Sequence, residues 1–218
     1  MKTSNILILS FVALSVVGTA IATVKVISTV KEAKERSVAI KDKKLGMNEQ
    51  TFNPCQSVIV DGTNSLDMEV RLGSSTRTSV YVEDAYKNQV AVAQTNGVLT
   101  VTSKIKGEDA HAVVIVELPQ LQRMQLNDAR CTIDSLVADN LDVVLLGNAD
   151  LQLLKGSIQT LTYTGKGNSS GYAGKQLTVA AWNINLSGNA NLDGVSPNSK
   201  LSMNVTGNAN VNLKGGKE

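Results

Sequence analysis

This sequence predicts an all-β fold: a β-solenoid of two facing sheets, wound in rungs of roughly 20 residues and preceded by an N-terminal apolar helix. Three observations predict it. After about residue 50 helical periodicity is absent, and short β-branched alternations closed by Gly, Asn, Asp or Pro take over. One pattern, apolar–x–Gly–Asn–Ala–polar–apolar, recurs as LLGNADLQL at 145–153, LSGNANLDG at 186–194 and VTGNANVNL at 205–213. Ahead of the strands, an apolar run extends from Ile6 to Ile27 behind the basic Lys2.

That first segment, residues 1–30, fits two readings. Its apolar stretch Ile6–Val17 followed by Ala20-Ile21-Ala22 has the layout of a secretory signal with a small-residue cleavage site. About 20 apolar residues also suffice for a membrane-spanning helix, with Lys25 snorkelling at its edge. Either reading brings the N-terminus to a membrane, with anchoring through residues 5–27 if it is retained. Residues 31–48 are charged and polar and read as a linker or stalk. The chain carries a net charge of +2, but residues 1–48 hold 8 Lys/Arg against 3 Asp/Glu and the remainder 13 against 16. A mildly acidic body argues against nucleic acid as a partner.

The body, 49–218, divides into lead-in strands over 52–119 and repeats over 120–214. SVIVDG, LDMEVRLG, TSVYVED, QVAVAQTNGVLTVTS and HAVVIVELP are the lead-in strands. Within the repeats, Asn148, Asn168, Asn189 and Asn208 are separated by 20, 21 and 19 residues. Alignment on these points gives columns: Leu141, Leu161, Trp182, Leu201; then Val143, Tyr163, Ile184, Met203; then Leu145, Leu186, Val205, with a gap at Gly165. Beyond the turn follow Ala149, Ser169, Ala190, Ala209, and then Leu151, Leu192, Val211. Side chains on a strand alternate faces, so the columns point inward and the Asp, Asn, Gln, Ser and Thr spacers outward. Aromatic residues make up only 3% of the chain, so the core is aliphatic. A repeat this short cannot bury its apolar face alone and must stack on the next. Further Gly-containing breaks at Lys155-Gly156-Ser157, Asp193-Gly194 and Gly215-Gly216 predict a second corner per rung.

Four Gly-Asn pairs mark the first corner: Gly147-Asn148, Gly167-Asn168, Gly188-Asn189 and Gly207-Asn208. Both residue types tolerate a left-handed backbone, and stacked Asn amides can form a ladder. These residues predict shape and require no ligand.

The layout resembles the auto-transporter adhesin head domain known as the GIN domain. An N-terminal membrane segment or signal, a lead-in ending in Val114-Ile115-Val116-Glu117-Leu118-Pro119-Gln120-Leu121 and the Gly147, Gly188 and Gly207 units match the family's layout, and the resemblance covers residues 52–214. This chain writes Gly-Asn-Ala where the family usually has Gly-Ser-Gly, and its copy at Asn127-Asp128-Ala129 is degenerate. The resemblance implies a two-sheeted β-helix acting in the cell envelope of Gram-negative bacteria, in adhesion, without defined catalytic residues.

Candidate chemistry is sparse. His111, beside Glu108 and Asp109, suggests acid–base work but fits a polar turn before a strand better. Asp134, Asp139, Asp142 and Asp150 would be needed together for a calcium-dependent lyase, yet they fall on different strand positions. Cys55 and Cys131 could be bridged in an exported protein or be two small buried residues. With one histidine they do not complete a zinc site, and no cofactor is expected. Trp182 falls in a core column, whereas Tyr81, Tyr86 and Tyr172 are expected at the surface. Val144, Leu146 and Leu154 are apolar at outward positions, a pattern that can mark a partner surface. The expected function is therefore non-enzymatic: a cell-envelope protein, periplasmic or surface-exposed, displaying its solenoid to an envelope or cell-surface protein or glycan. A carbohydrate-active enzyme or carbohydrate-binding protein on the same fold is the alternative. A groove gathering three or more acidic or basic side chains would favour the enzyme.

Overall fold

The computed structural model describes residues 44–62, 66–73, 75–105 and 111–215. The expected N-terminal apolar helix, and all of the expected linker before Lys44, lie outside the described residues. Among the described residues no helix is long and apolar enough to cross a membrane.

The described body is all-β, apart from one 3-10 turn at Asp84–Tyr86. Its strands are β1 (Met47–Phe52), β2 (Ser57–Asp61), β3 (Leu66–Leu72), β4 (Thr78–Glu83), β5 (Val90–Thr95), β6 (Val98–Ser103), β7 (Ala112–Leu118) and β8 (Arg123–Asn127). The repeats follow as β9 (Arg130–Leu146), β10 (Asp150–Gly167), β11 (Ser170–Gly188), β12 (Asn191–Val195), β13 (Lys200–Val205) and β14 (Asn210–Lys214). From β9 onward, pairing is parallel, and each rung lies in register on its neighbours apart from one shift between β10 and β11 at Leu153/Lys155. Leu141 pairs with Leu161, which pairs with Trp182, which pairs with Leu201. Val143, Tyr163, Ile184 and Met203 are likewise consecutive partners, as are Leu145, Gly165, Leu186 and Val205. Parallel strands in register with period-two burial put one continuous apolar stripe on the inside of the rungs through β11 and β12. Trp182, Tyr163, Met124 and Leu141 are among its fully buried members.

The second corner differs from the break expected at Gly156. β9, β10 and β11 run through it without interruption, so hydrogen bonding wraps one 14-stranded sheet around the core. Gly156 bends with φ +130 in place, where a Cβ would collide with the Leu136 carbonyl.

Stacking also starts ahead of the repeats. β2 lies between β6 and β8, and β3 between β7 and β9, all parallel. The rung built from β2 and β3 is thus sandwiched between a later rung, β6 and β7, and the first repeat strands. Antiparallel β4 and β5 cover β7 and β6, and β1 covers β4. Beyond β11 the stack ends with β12 carrying β14, while β13 pairs with β11.

Candidate interaction surface

The Gly-Asn corners are built as one column. Gly147, Gly167, Gly188 and Gly207 have φ of 69, 80, 80 and 75, a region that side-chain-bearing residues rarely enter. At Gly167 a Cβ would lie 3.1 Å from the Gly147 carbonyl oxygen. The amides form a ladder: Asn168 Nδ2 donates to Asn148 Oδ1 at 3.1 Å, Asn189 to Asn168 at 3.0 Å, and Asn208 to Asn189 at 3.4 Å. The ladder starts at Asp128, whose Oδ1 accepts the Asn148 backbone N–H at 2.8 Å. This earliest corner is shorter. Asn127 pairs with Leu146 and Arg130 with Asp150, so Asp128 and Ala129 span what Gly147, Asn148 and Ala149 span above. Asp128 takes the left-handed conformation itself, at φ 47, as Asp tolerates. Inside the corners Ala149, Ser169 and Ala190 are buried.

The outward acidic residues are separated and paired one rung away. Lys155 meets Asp134 at 2.9 Å, Arg130 meets Asp150 at 3.4 Å, and Arg123 meets Asp142 at 3.7 Å. Among the described residues no group of three or more His, Cys, Asp or Glu is placed to hold a metal ion. His111 is exposed at a cleft of about 320 Å³ that also contains Asp67, Arg130 and Asp150. This groove does gather several ionisable groups, but the guanidinium of Arg130 is engaged by Asp150. Glu108 and Asp109 lie outside the described residues.

No disulfide joins Cys55 and Cys131; both are buried thiols. Burial pushes the Cys55 thiol above its ordinary range, partly offset by its hydrogen bond from Thr78 Oγ1 at 3.4 Å. Trp182 is buried as expected. Of the three tyrosines expected at the surface, only Tyr172 is fully so, at 42% exposure. Tyr81 is half-buried and donates its hydroxyl to Glu49 Oε1 at 3.0 Å, and Tyr86 packs against the core. Antiparallel pairing with β1 covers Tyr81, which strand alternation alone could not foresee.

Val144 and Leu146 share the outward face of β9 and are half-buried, Val144 between Gln125 and Thr164. Leu154 sits on a different stretch, at the bend of β10, where pairing with β11 shifts register between Leu153 and Lys155. The three do not meet in one strip. Val137, which sequence patterning did not single out, is 76% exposed.

A cleft of about 570 Å³ lies against β11, β12 and β14, lined by Tyr172, Lys175, Asp193, Val195, Asn212 and Lys214. Tyr172 pairs with Asp193 and Asp193 with Asn212, so these three side chains form an outward column on successive rungs. Asn212 Nδ2 donates to Asp193 Oδ1 at 2.8 Å. The same ruler that aligned the Asn corners aligns this column, but its mixed chemistry hides it from a search for repeated residues. At β13 the core columns surface: Leu201, Met203 and Val205 are 43%, 52% and 40% exposed, and among the described residues β13 pairs with β11 alone.

The sequence matches the family described as "Putative auto-transporter adhesin, head GIN domain" over residues 59–216. The chain belongs to the GIN-domain family. The match runs through the early rungs as well as the repeats, in keeping with a single stack. Two solved structures share the GIN-domain chain's fold. One, described as a putative adhesin from Parabacteroides distasonis, is 15% identical with a TM-score of 0.55, over 68% of this chain and 64% of its own. This chain therefore spans about two-thirds of that relative's length. The other, described as a putative adhesin from Bacteroides fragilis, is 17% identical with a TM-score of 0.51, over 77% of this chain and 97% of its own. Among curated proteins none matches this GIN-domain sequence.

Proposed function

We propose that the chain is a non-enzymatic cell-envelope protein that displays its solenoid as a rigid contact surface for adhesion, held at or exported across a membrane by residues 1–30. The observation that carries this reading is the outer surface itself. Three of its acidic residues lie in ion pairs between adjacent rungs, Lys155–Asp134, Arg130–Asp150 and Arg123–Asp142. Paired surface charges contribute little stability, about 0–1 kcal/mol each. Family membership and two adhesin-described structures of the same fold support the same reading.

The test is display of the full chain on a non-adherent bacterial host, with surface exposure verified by antibody. Retention on epithelial cells or on a second bacterial layer above the empty-vector level is the expected outcome. Absence of retention by correctly displayed protein would refute adhesion. Polysaccharide cleavage that disappears in His111→Ala would establish the enzyme alternative instead.

A further inference from the structure

We propose that the cleft around Tyr172 binds an acidic sugar, a pyranose ring bearing a carboxylate. The proposal rests on reading the solenoid as a contact surface and names the ligand class that surface takes. Its volume, about 570 Å³, lies in the range of roughly 300–1,000 Å³ typical of small-ligand sites.

Three features of the cleft point to a sugar with negative charge. Tyr172 offers an aromatic face next to water. The face of such a ring is electron-rich and attracts the weakly positive C–H groups of a pyranose. Directly along the stack from it, Asp193 and Asn212 hold each other through the 2.8 Å amide–carboxylate bond. The Asp193 carboxylate has further lone pairs and Asn212 an amide oxygen, so together they can take sugar hydroxyls. Lys175 and Lys214 supply two ammonium groups at the same cleft. Neither forms an ion pair among the described residues, unlike Arg123, Arg130 and Lys155 on earlier rungs. Two cations against one carboxylate leave the cleft net positive, on a body whose net charge is otherwise negative.

Lys175 reaches this position through an irregularity in the coil. Between Leu153 and Lys155 β10 has one residue, Leu154, whereas the matching span of β11 between Ala173 and Gln176 has two, Gly174 and Lys175. This bulge makes the rung from Asn168 to Asn189 one residue longer than its predecessor. Gly174 is required there, since a Cβ would strike the Leu154 carbonyl. Bulges locally re-aim side chains and recur next to functional sites. On this face the bulge puts an extra lysine beside Tyr172, and the regular pairing of β9 with β10 has no counterpart. Gly194, facing the cleft, leaves room where any side chain would meet Ala173.

Calorimetric titration of the full chain in detergent with trigalacturonate, and with neutral maltotriose as the comparison, tests the proposal. Saturable binding of trigalacturonate is expected, with a dissociation constant on the order of 1 mM or below. Tyr172→Ala and Lys214→Gln should each weaken it about tenfold or more, and raised salt should weaken it further. Both residues are at the surface, so thermal melting of the variants should match the parent. No saturation by trigalacturonate, equal binding of maltotriose, or binding unaffected by the substitutions would overturn the proposal. Surface-displayed protein that adheres although trigalacturonate does not bind would remove only the ligand assignment and leave the adhesion reading standing.

Discussion

At the scale of single residues, the inward positions are decided by what lies one rung above and below. Ala190 is fully buried, and the Gly165 position beneath it has almost no spare room: a Cβ there would lie 3.2 Å from that of Ala190. Ala190→Leu should overpack the corner and cost about 1–3 kcal/mol, read as a lower midpoint in urea. Tyr163 shows the converse. Its ring fills the space that Gly171 leaves, and its hydroxyl makes no hydrogen bond within the protein. Tyr163→Phe should therefore leave stability unchanged or raise it by about 1 kcal/mol. Burial, with the charge of Asp150 second, pushes the Tyr163 phenol well above its ordinary value of 10.0. The unfolded chain thus ionises first. Tyr163 leaves stability untouched below pH 10 and lowers it as pH rises beyond that. The phenylalanine variant should lose that alkaline decline, as followed by circular dichroism against pH. The sequence disclosed both residues as members of inward columns. It did not disclose that an apparent gap, Gly165, is closed by the side chains of Leu186, Ser169 and Ala190.

At the scale of elements, the corner ladder couples successive strands through side chains as well as backbone. Asn168 donates to Asn148 and accepts from Asn189, so Asn168→Ala breaks both bonds and should cost about 1–2 kcal/mol. The loss is checked by chemical denaturation, and Asn208→Ala, at the terminal rung with its single 3.4 Å bond, should cost less. The strands and the corners from Gly147 onward were legible because period-two alternation and Gly-Asn spacing are local signals. The order of the early strands was not. β2 inserts between β6 and β8 through pairings such as Val60 with Val101 and with Leu126. All three strands carry the same alternating pattern, so nothing in it selects neighbours. The cleft was half legible: Tyr172 stood out as an exposed aromatic, whereas the β11 bulge that brings Lys175 beside it left only a 21-residue interval as its trace.

At the scale of the whole molecule, the body behaves as a one-dimensional stack, in which each rung is stabilised by its neighbours. Removal of one full period, residues 168–188, should leave a folded, shorter coil, because Gly167 is then followed by Asn189 and the columns remain in register. Removal of half a period should abolish folding, since it joins strands that run on different sides of the coil. Far-ultraviolet circular dichroism and the sharpness of thermal melting distinguish the two. The rise in exposure from Ile184, at 1%, to Met203, at 52%, does not mark a failure of register, because the two remain paired.

The most direct test of that register is a nuclear Overhauser measurement between the methyl groups of Ile184 and Met203 in selectively labelled protein. Strands in register sit roughly 4.8 Å apart, so a strong cross-peak is expected, with a matching one from Ile184 to the Tyr163 ring. Absence of both cross-peaks in a folded sample would contradict the stacked columns and, with them, the solenoid.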